Sequence, residues 1–288
     1  MKIPRGLQPL IEDGIVDAVL GQLKSGKEAS VFLVACGSHV RCAKVYKDAQ
    51  HRGFHRLAEY REGRKSRRSR DDRAMGNRSR HGRREQESAW KNAEVVALYR
   101  LAGAGVRVPQ PQGVYDGVLI MELVVDAEGH PAPRLNDVAP TPEQAREWHA
   151  YLIKQVQLML CLGMIHGDLS EYNVLLGADG PVIIDLPQAV DAAGNNNAFR
   201  MLARDVNNLR AYCGAFAPEL MATEYAHELW KLYEAGELKP DTALTGHFIH
   251  DTTPANVGQV LYEVDQARKE AEARERGRLA AAQLGEHA

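Results

Sequence analysis

Cysteine is scarce in this 288-residue chain, and the four present are poorly spaced for joint work. Cys36, Cys42, Cys161 and Cys213 form no C-x-x-C pair. Neither a zinc site nor a disulfide framework is indicated, and four unpaired thiols suit a reducing cytosol. Long apolar runs are missing too: none approaches the ~18 residues that a membrane span needs, and the N-terminus lacks a signal-peptide apolar region. The expectation is therefore a cytoplasmic protein with no membrane contact. Net charge is almost absent, −2 in total, which argues against general affinity for nucleic acid. There is no internal repeat.

The charge is unevenly spread. Residues 52–84 hold 13 Lys/Arg against 4 Asp/Glu, about +9, so the remainder carries about −11. From Gly63 to Arg84 the stretch is mainly Gly, Ser and Arg, with few large apolar side chains. Such a segment cannot bury enough to order itself, so a mobile basic insertion is expected near 52–87. It lacks the interleaved aromatics that stack on bases, and the most it offers is a phosphate-backbone contact to RNA, or contact with an acidic partner.

The informative stretch is Ile165-His166-Gly167-Asp168-Leu169-Ser170-Glu171-Tyr172-Asn173, followed by an apolar run, a turn at Gly177 to Gly180, and Val182-Ile183-Ile184-Asp185. This reads as a hairpin whose ends present Asp168, Asn173 and Asp185 in one small volume. Phosphoryl transfer needs this set: one carboxylate to orient a nucleophile, and an amide plus a second carboxylate to hold magnesium on the phosphates. The spacing is similar to the protein-kinase pattern H-R-D-x-x-x-x-N followed by D-F-G. Two parts of that pattern are missing: Leu186-Pro187 stands in place of Phe-Gly, and no A-P-E follows. A groove for an extended peptide is therefore not expected.

The remaining chain can supply an ATP pocket. A short helix and a strand are expected over Leu7 to Leu20. Gly21 to Val34 reads as strand, Gly-punctuated turn and strand, able to lay backbone N–H groups against phosphates. It is not a P-loop, because Glu28 follows Lys27 and no helix comes next. Val40 to Tyr46 is a strand with Lys44 at its centre, where a lysine needs a partner. A helix over Ser88 to Ala102 puts Trp90, Ala93, Val96, Ala97, Leu98 and Leu101 on one apolar face, with Glu94 flanking it. Glu94 is the expected partner of Lys44, ahead of Glu85 and Glu87. A hairpin follows, turning at Asp116-Gly117, with its second strand over Val118 to Val124. Met121 would back an adenine, with the Glu122 carbonyl and the Val124 N–H on its edge. A Pro-rich linker leads to Thr141, which starts a helix over Glu143 to Leu162 that Gly163 stops. Further helices are expected over Ala198 to Gly214, Pro218 to Glu237 and Thr253 to Ala282.

Together these residues resemble the RIO family of atypical kinases. The resemblance rests on Gly-Gln-Leu-Lys-Ser-Gly-Lys-Glu-Ala-Ser-Val (21–31), Ala-Lys-Val-Tyr-Lys (43–47), Trp90 to Glu94, His-Gly-Asp-Leu-Ser-Glu-Tyr-Asn (166–173) and Ile-Ile-Asp-Leu-Pro-Gln (183–188). It covers roughly residues 15–215, and without room for a winged helix it is closer to the first RIO subfamily. The resemblance implies an α+β, bilobal protein-kinase-like fold, with a β-rich lobe over 1–124 and a mainly helical lobe over 125–288. It implies ATP with magnesium, manganese being a possible substitute, and serine autophosphorylation or ATP hydrolysis through a phosphorylated aspartate. Lys44 would hold phosphates and Glu94 would orient it. Ser25, Lys27 and Glu28 would lie over the nucleotide. Asp168 would be the base, Asn173 and Asp185 the metal ligands, and Asp185 the candidate phospho-acceptor. Lys24 departs from the pattern by occupying a position that usually bears a hydroxyl. Eukaryotic members mature the small ribosomal subunit, so ribosomal RNA is a conceivable partner for the basic insertion. Two rival readings are a small-molecule phosphotransferase of the aminoglycoside or choline kinase type, and an ATP-gated binding module.

Overall fold

The computed structural model describes residues 3–26, 29–47 and 93–250. The basic stretch 52–84, Lys27, Glu28, Trp90 and the helix expected over 253–282 lie outside the described residues. The chain divides into two compact units, Met1–Phe248 and Ile249–Ala288, and every described strand and helix belongs to the first.

Five antiparallel strands form one sheet: β1 (Ala18–Ser25), β2 (Ala29–Cys36), β3 (His39–Tyr46), β4 (Pro111–Tyr115) and β5 (Val118–Glu122). Their order in the sheet is β1-β2-β3-β5-β4. Alternation sorts their side chains. Phe32, Val34, Ala43, Val118 and Ile120 face one way and pack under helix α1 (Gln8–Glu12), against Leu7, Leu10 and Val16. The approach is close: a Cβ on Gly6 would meet the Val45 side chain at 2.9 Å. The opposite face carries Lys44, Tyr46, Leu119 and Met121, and the last three pack into the larger core. Lys44 therefore leaves the sheet on the side away from α1.

Helix α2 occupies residues 93–103. Its buried side is Glu94, Ala97, Leu98 and Leu101. Val96, which the apolar pattern placed on that side, is 56 % exposed, as is much of Tyr99. The carboxylate takes the inward position because it meets Lys44, and this rotates the helix face from the purely hydrophobic optimum.

After β5 the chain crosses to a mainly helical part. β5 ends at Glu122 rather than Val124, because Val124 accepts the Ala132 N–H at 3.0 Å instead of continuing the ladder. The linker then lies along the segment that carries Leu175, through an Arg134–Leu175 bridge. Helix α3 (Pro142–Cys161) begins with a capping box between Thr141 and Gln144 and stops before Gly163, whose φ is +67°. It buries Leu152, Val156, Met159 and Leu160, whereas Trp148 and Tyr151 are half-buried. Short strands β6 (Met164–Ile165) and β9 (Val190–Asp191) pair, and β7 (Val174–Gly177) pairs with β8 (Gly180–Ile183). Helix α4 (Ala198–Gly214) packs against α3. The single helix expected over Pro218 to Glu237 is two elements: a 3-10 turn, Pro218–Ala222, and helix α5 (Tyr225–Glu234). Thr223 is extended, and the Glu224 N–H is taken by the Gly246 carbonyl at 2.7 Å, so the helix cannot run through. Among the described residues no helix is long and apolar enough to cross a membrane. All four cysteines are free.

His149, on α3, is buried beside the Tyr225 ring. Burial and the nearby Arg210 charge push its imidazole down to about 4 from an ordinary 6.5. A basic group that is neutral when folded contributes stability above its unfolded pKa and loses it as pH falls. We expect stability relative to a His149→Phe variant to drop by about 3 kcal/mol between pH 6.5 and 4. Urea unfolding of both proteins across that range checks this; parallel curves would refute it.

Candidate functional site

The site forms where the sheet face bearing Lys44 meets the hairpin β7–β8. Lys44 sits at the centre of β3, opposite Val31 of β2 and Leu119 of β5. Its ammonium forms an ion pair with Glu94 of α2 and lies 3.2 Å from Asp185 Oδ1. The Tyr46 hydroxyl donates to the second Glu94 oxygen at 2.9 Å. Lys44 and Glu94 side chains are only 12 % and 7 % exposed, whereas that of Asp185 is 48 % exposed. Burial alone would lower the Lys44 pKa; the Glu94 and Asp185 carboxylates outweigh it and hold the ammonium firmly charged. Burial works the other way on Asp185, but Lys44 keeps its carboxyl below the ordinary range. Burial and Glu94 both hold the Tyr46 phenol in its neutral form, as a donor.

Asp185 has φ +68°. That left-handed conformation is uncommon outside glycine, and from it the carboxylate meets Lys44.

Asp168 follows a turn made possible by Gly167, whose φ is +82°. The backbone around it is fixed by side chains of α4. Asp205 accepts the Gly167 N–H at 2.7 Å and the Leu169 N–H at 3.0 Å. Asn208 donates to the Leu169 carbonyl at 2.8 Å, and Arg204 donates to the Gly167 carbonyl. Burial pushes the Asp205 carboxyl up to about 7, against the pull of the two amides and Arg204. His166 is buried under the same turn. Its Nδ1 accepts the Asp168 N–H at 3.3 Å, which leaves Nε2–H to donate to the Ile184 carbonyl at 3.0 Å. Burial depresses its pKa, in keeping with this neutral tautomer. His166 thus ties the segment before Asp168 to the segment before Asp185.

Asn173 donates its side-chain amide to the Asp168 carbonyl at 2.8 Å, and its own carbonyl accepts the Ile184 N–H at 2.9 Å. The side-chain oxygen of Asn173 and the carboxylate of Asp185 are hard oxygen donors of the kind magnesium takes. The Asp168 carboxylate has Gln188 Nε2 at 3.5 Å.

The structure thus gathers Lys44, Glu94, Asp168, Asn173 and Asp185. Other expected residues stand as follows. Ser25 ends β1 and is held by Lys47, which donates to its hydroxyl at 2.9 Å and to the Gly26 carbonyl at 2.7 Å. Lys27 and Glu28 lie outside the described residues. Met121 faces the Lys44 side of the sheet, opposite Cys42. The Glu122 side chain binds Arg107 through two contacts, at 2.7 and 2.8 Å, and accepts the Gln110 N–H at 2.9 Å. Val124 is buried. The pattern of residues did not reveal Tyr46, His166, Arg107 or the grip of Asp205 on the turn. The one available signal was an Arg204-Asp205 pair in the middle of an otherwise amphipathic helix.

Comparison with known proteins finds relatives of this chain. Residues 31–226 match the family model described as RIO domain. The chain is 35 % identical over 202 residues to the RIO-type serine/threonine-protein kinase Rio1 of Haloferax volcanii, covering 69 % of this chain and 64 % of that one. It is 32 % identical over 225 residues to the protein of the same name from Methanocaldococcus jannaschii, covering 77 % and 70 %. With the serine/threonine-protein kinase RIO1 of Chaetomium thermophilum it shares 31 % over 222 residues, 71 % of this chain but 41 % of the relative.

Proposed function

The chain belongs to the RIO domain family, and from that membership we propose that it is an ATP-dependent serine/threonine protein kinase or ATPase working with magnesium, or manganese in its place. The observation that carries the reading is the Lys44 ammonium held between Glu94 and Asp185, beside Asp168 and Asn173. In this reading the β-rich lobe over 1–124 and the mainly helical lobe that begins at 125 hold the nucleotide. The adenine lies against Met121, with the Glu122 carbonyl and Val124 N–H on its edge, and Ser25, Lys27 and Glu28 cover the phosphates. Lys44 binds phosphate oxygens while Glu94 fixes its direction. Asn173 and Asp185 would hold the divalent ion, whose contribution is to neutralise charge on the transferring phosphate. Asp168 accepts the proton of the attacking hydroxyl, and its rigid backbone keeps that carboxylate in line.

The acceptor is a serine or threonine hydroxyl, in the protein itself or in a protein substrate; hydrolysis through Asp185 is the other outcome of the same geometry. Membership of the first RIO subfamily, a cytoplasmic location, and contact of residues 52–84 with ribosomal RNA or an acidic partner belong to the same proposal. Burial pushes the Cys42 and Cys213 thiols up to about 12, so neither is a reactive thiolate in this reading.

Transfer of label from γ-labelled ATP tests the reading. Lys44→Met is expected to lower incorporation and phosphate release by about 10²-fold or more, because a fixed cation at the developing charge is lost. Equal rates for both proteins would overturn the role given to Lys44.

A further inference from the structure

Two cations close to Asp185 have no part in the roles above. Lys24 stands near the end of β1, opposite Val31 of β2, and Val31 stands opposite Lys44 of β3. Directly opposed residues project to the same face of a sheet. Lys24 and Lys44 therefore leave the same face, two strands or roughly 10 Å apart. Arg134 lies on the linker, in a different part of the chain. Its backbone bridges Leu175 of β7, Pro133 before it accepts the Leu176 N–H at 2.9 Å, and Leu135 after it is buried with its carbonyl on the Tyr212 hydroxyl at 2.6 Å. Arg134 is thus anchored to the hairpin that carries Asn173 and Asp185.

The two cations share one electrostatic neighbourhood. Burial and Arg134 both push the Lys24 ammonium down, while Asp185 and Asp137 pull it up, and Arg134 also helps to keep Asp185 ionised. Among the described residues neither Lys24 nor Arg134 forms an ion pair. Two like charges in one neighbourhood repel, and an anion between them relieves the repulsion. Arg134 brings a planar fork suited to phosphate, and Lys24 a compact point charge near the end of β1.

We propose that Lys24 and Arg134 close on the terminal phosphate of the bound nucleotide, one from the β1–β2 hairpin and one from the linker, and so make the site select triphosphate over diphosphate. Lys44 then serves the inner phosphates, and these two the outer one. The inference rests on the kinase reading above.

Calorimetric titration of the full chain with magnesium and either a non-hydrolysable ATP analogue or ADP tests it. Lys24→Gln and Arg134→Gln are each expected to weaken triphosphate binding by about 10- to 100-fold, the value of a charged hydrogen bond, and to leave ADP binding nearly unchanged. Arg134→Lys should recover part of the loss, and thermal midpoints should match the wild type. Unchanged triphosphate affinity, or an equal loss for ADP, would overturn this inference while leaving the kinase reading intact. A wild-type protein that binds neither nucleotide would sink both.

Discussion

An Asp168→Asn protein is expected to transfer phosphate ~10²–10⁴-fold more slowly than the wild type while binding nucleotide almost as well. The turn that carries Asp168 is held through its backbone by neighbouring side chains. The peptide before it is held by Asp205 and Arg204, the peptide after it by Asp205 and Asn208, and its carbonyl by Asn173. Asparagine therefore inherits the geometry and loses only the capacity to take a proton. Single-turnover label transfer, paired with a nucleotide titration, separates the two quantities. If chemistry slows no more than binding weakens, Asp168 is a structural residue and the proton acceptor lies elsewhere.

Asp205→Ala is expected to lower the unfolding free energy by about 3–5 kcal/mol, a large share of a domain's total. Asp205 is buried, and its two oxygens each take a backbone N–H. Truncation takes that acceptor from both amides and deprives Arg204 of its neighbouring negative charge. Because those amides flank Asp168, phosphate transfer should fall together with stability. Asp205→Asn keeps one acceptor oxygen and should land between the two. Urea unfolding of the three proteins measures the effect; a loss below about 1 kcal/mol would show that the turn holds itself.

These two residues also mark how far the amino-acid sequence could be read. Asp168 was legible because its partners are local: Asn173 and Asp185 follow at short intervals, between apolar runs that must form a hairpin. The Lys44–Glu94 pair could be read across 50 residues because each lies in a strongly periodic element, a strand of period two and a helix of period 3.6. Asp205 stands out in its helix, but its purpose does not. It acts 36 and 38 residues back, on peptide groups that carry no side-chain signature. The same reason hid the split at Thr223, which depends on a carbonyl from Gly246. β6 and β9, two residues each, are too short to show any period. Val96 misled because apolar spacing predicts the inward face only when no charged residue competes for it.

The left-handed backbone at Asp185 complicates any mutational study of that position. Most side chains placed there meet their own carbonyl, at a torsional penalty of about 1–2 kcal/mol, whereas asparagine and glycine are tolerated. An alanine or glutamate at 185 would therefore combine a lost or displaced charge with a twisted peptide, and its phenotype would report both. Asparagine alone isolates the chemistry, since it matches the aspartate in shape and in conformational habit.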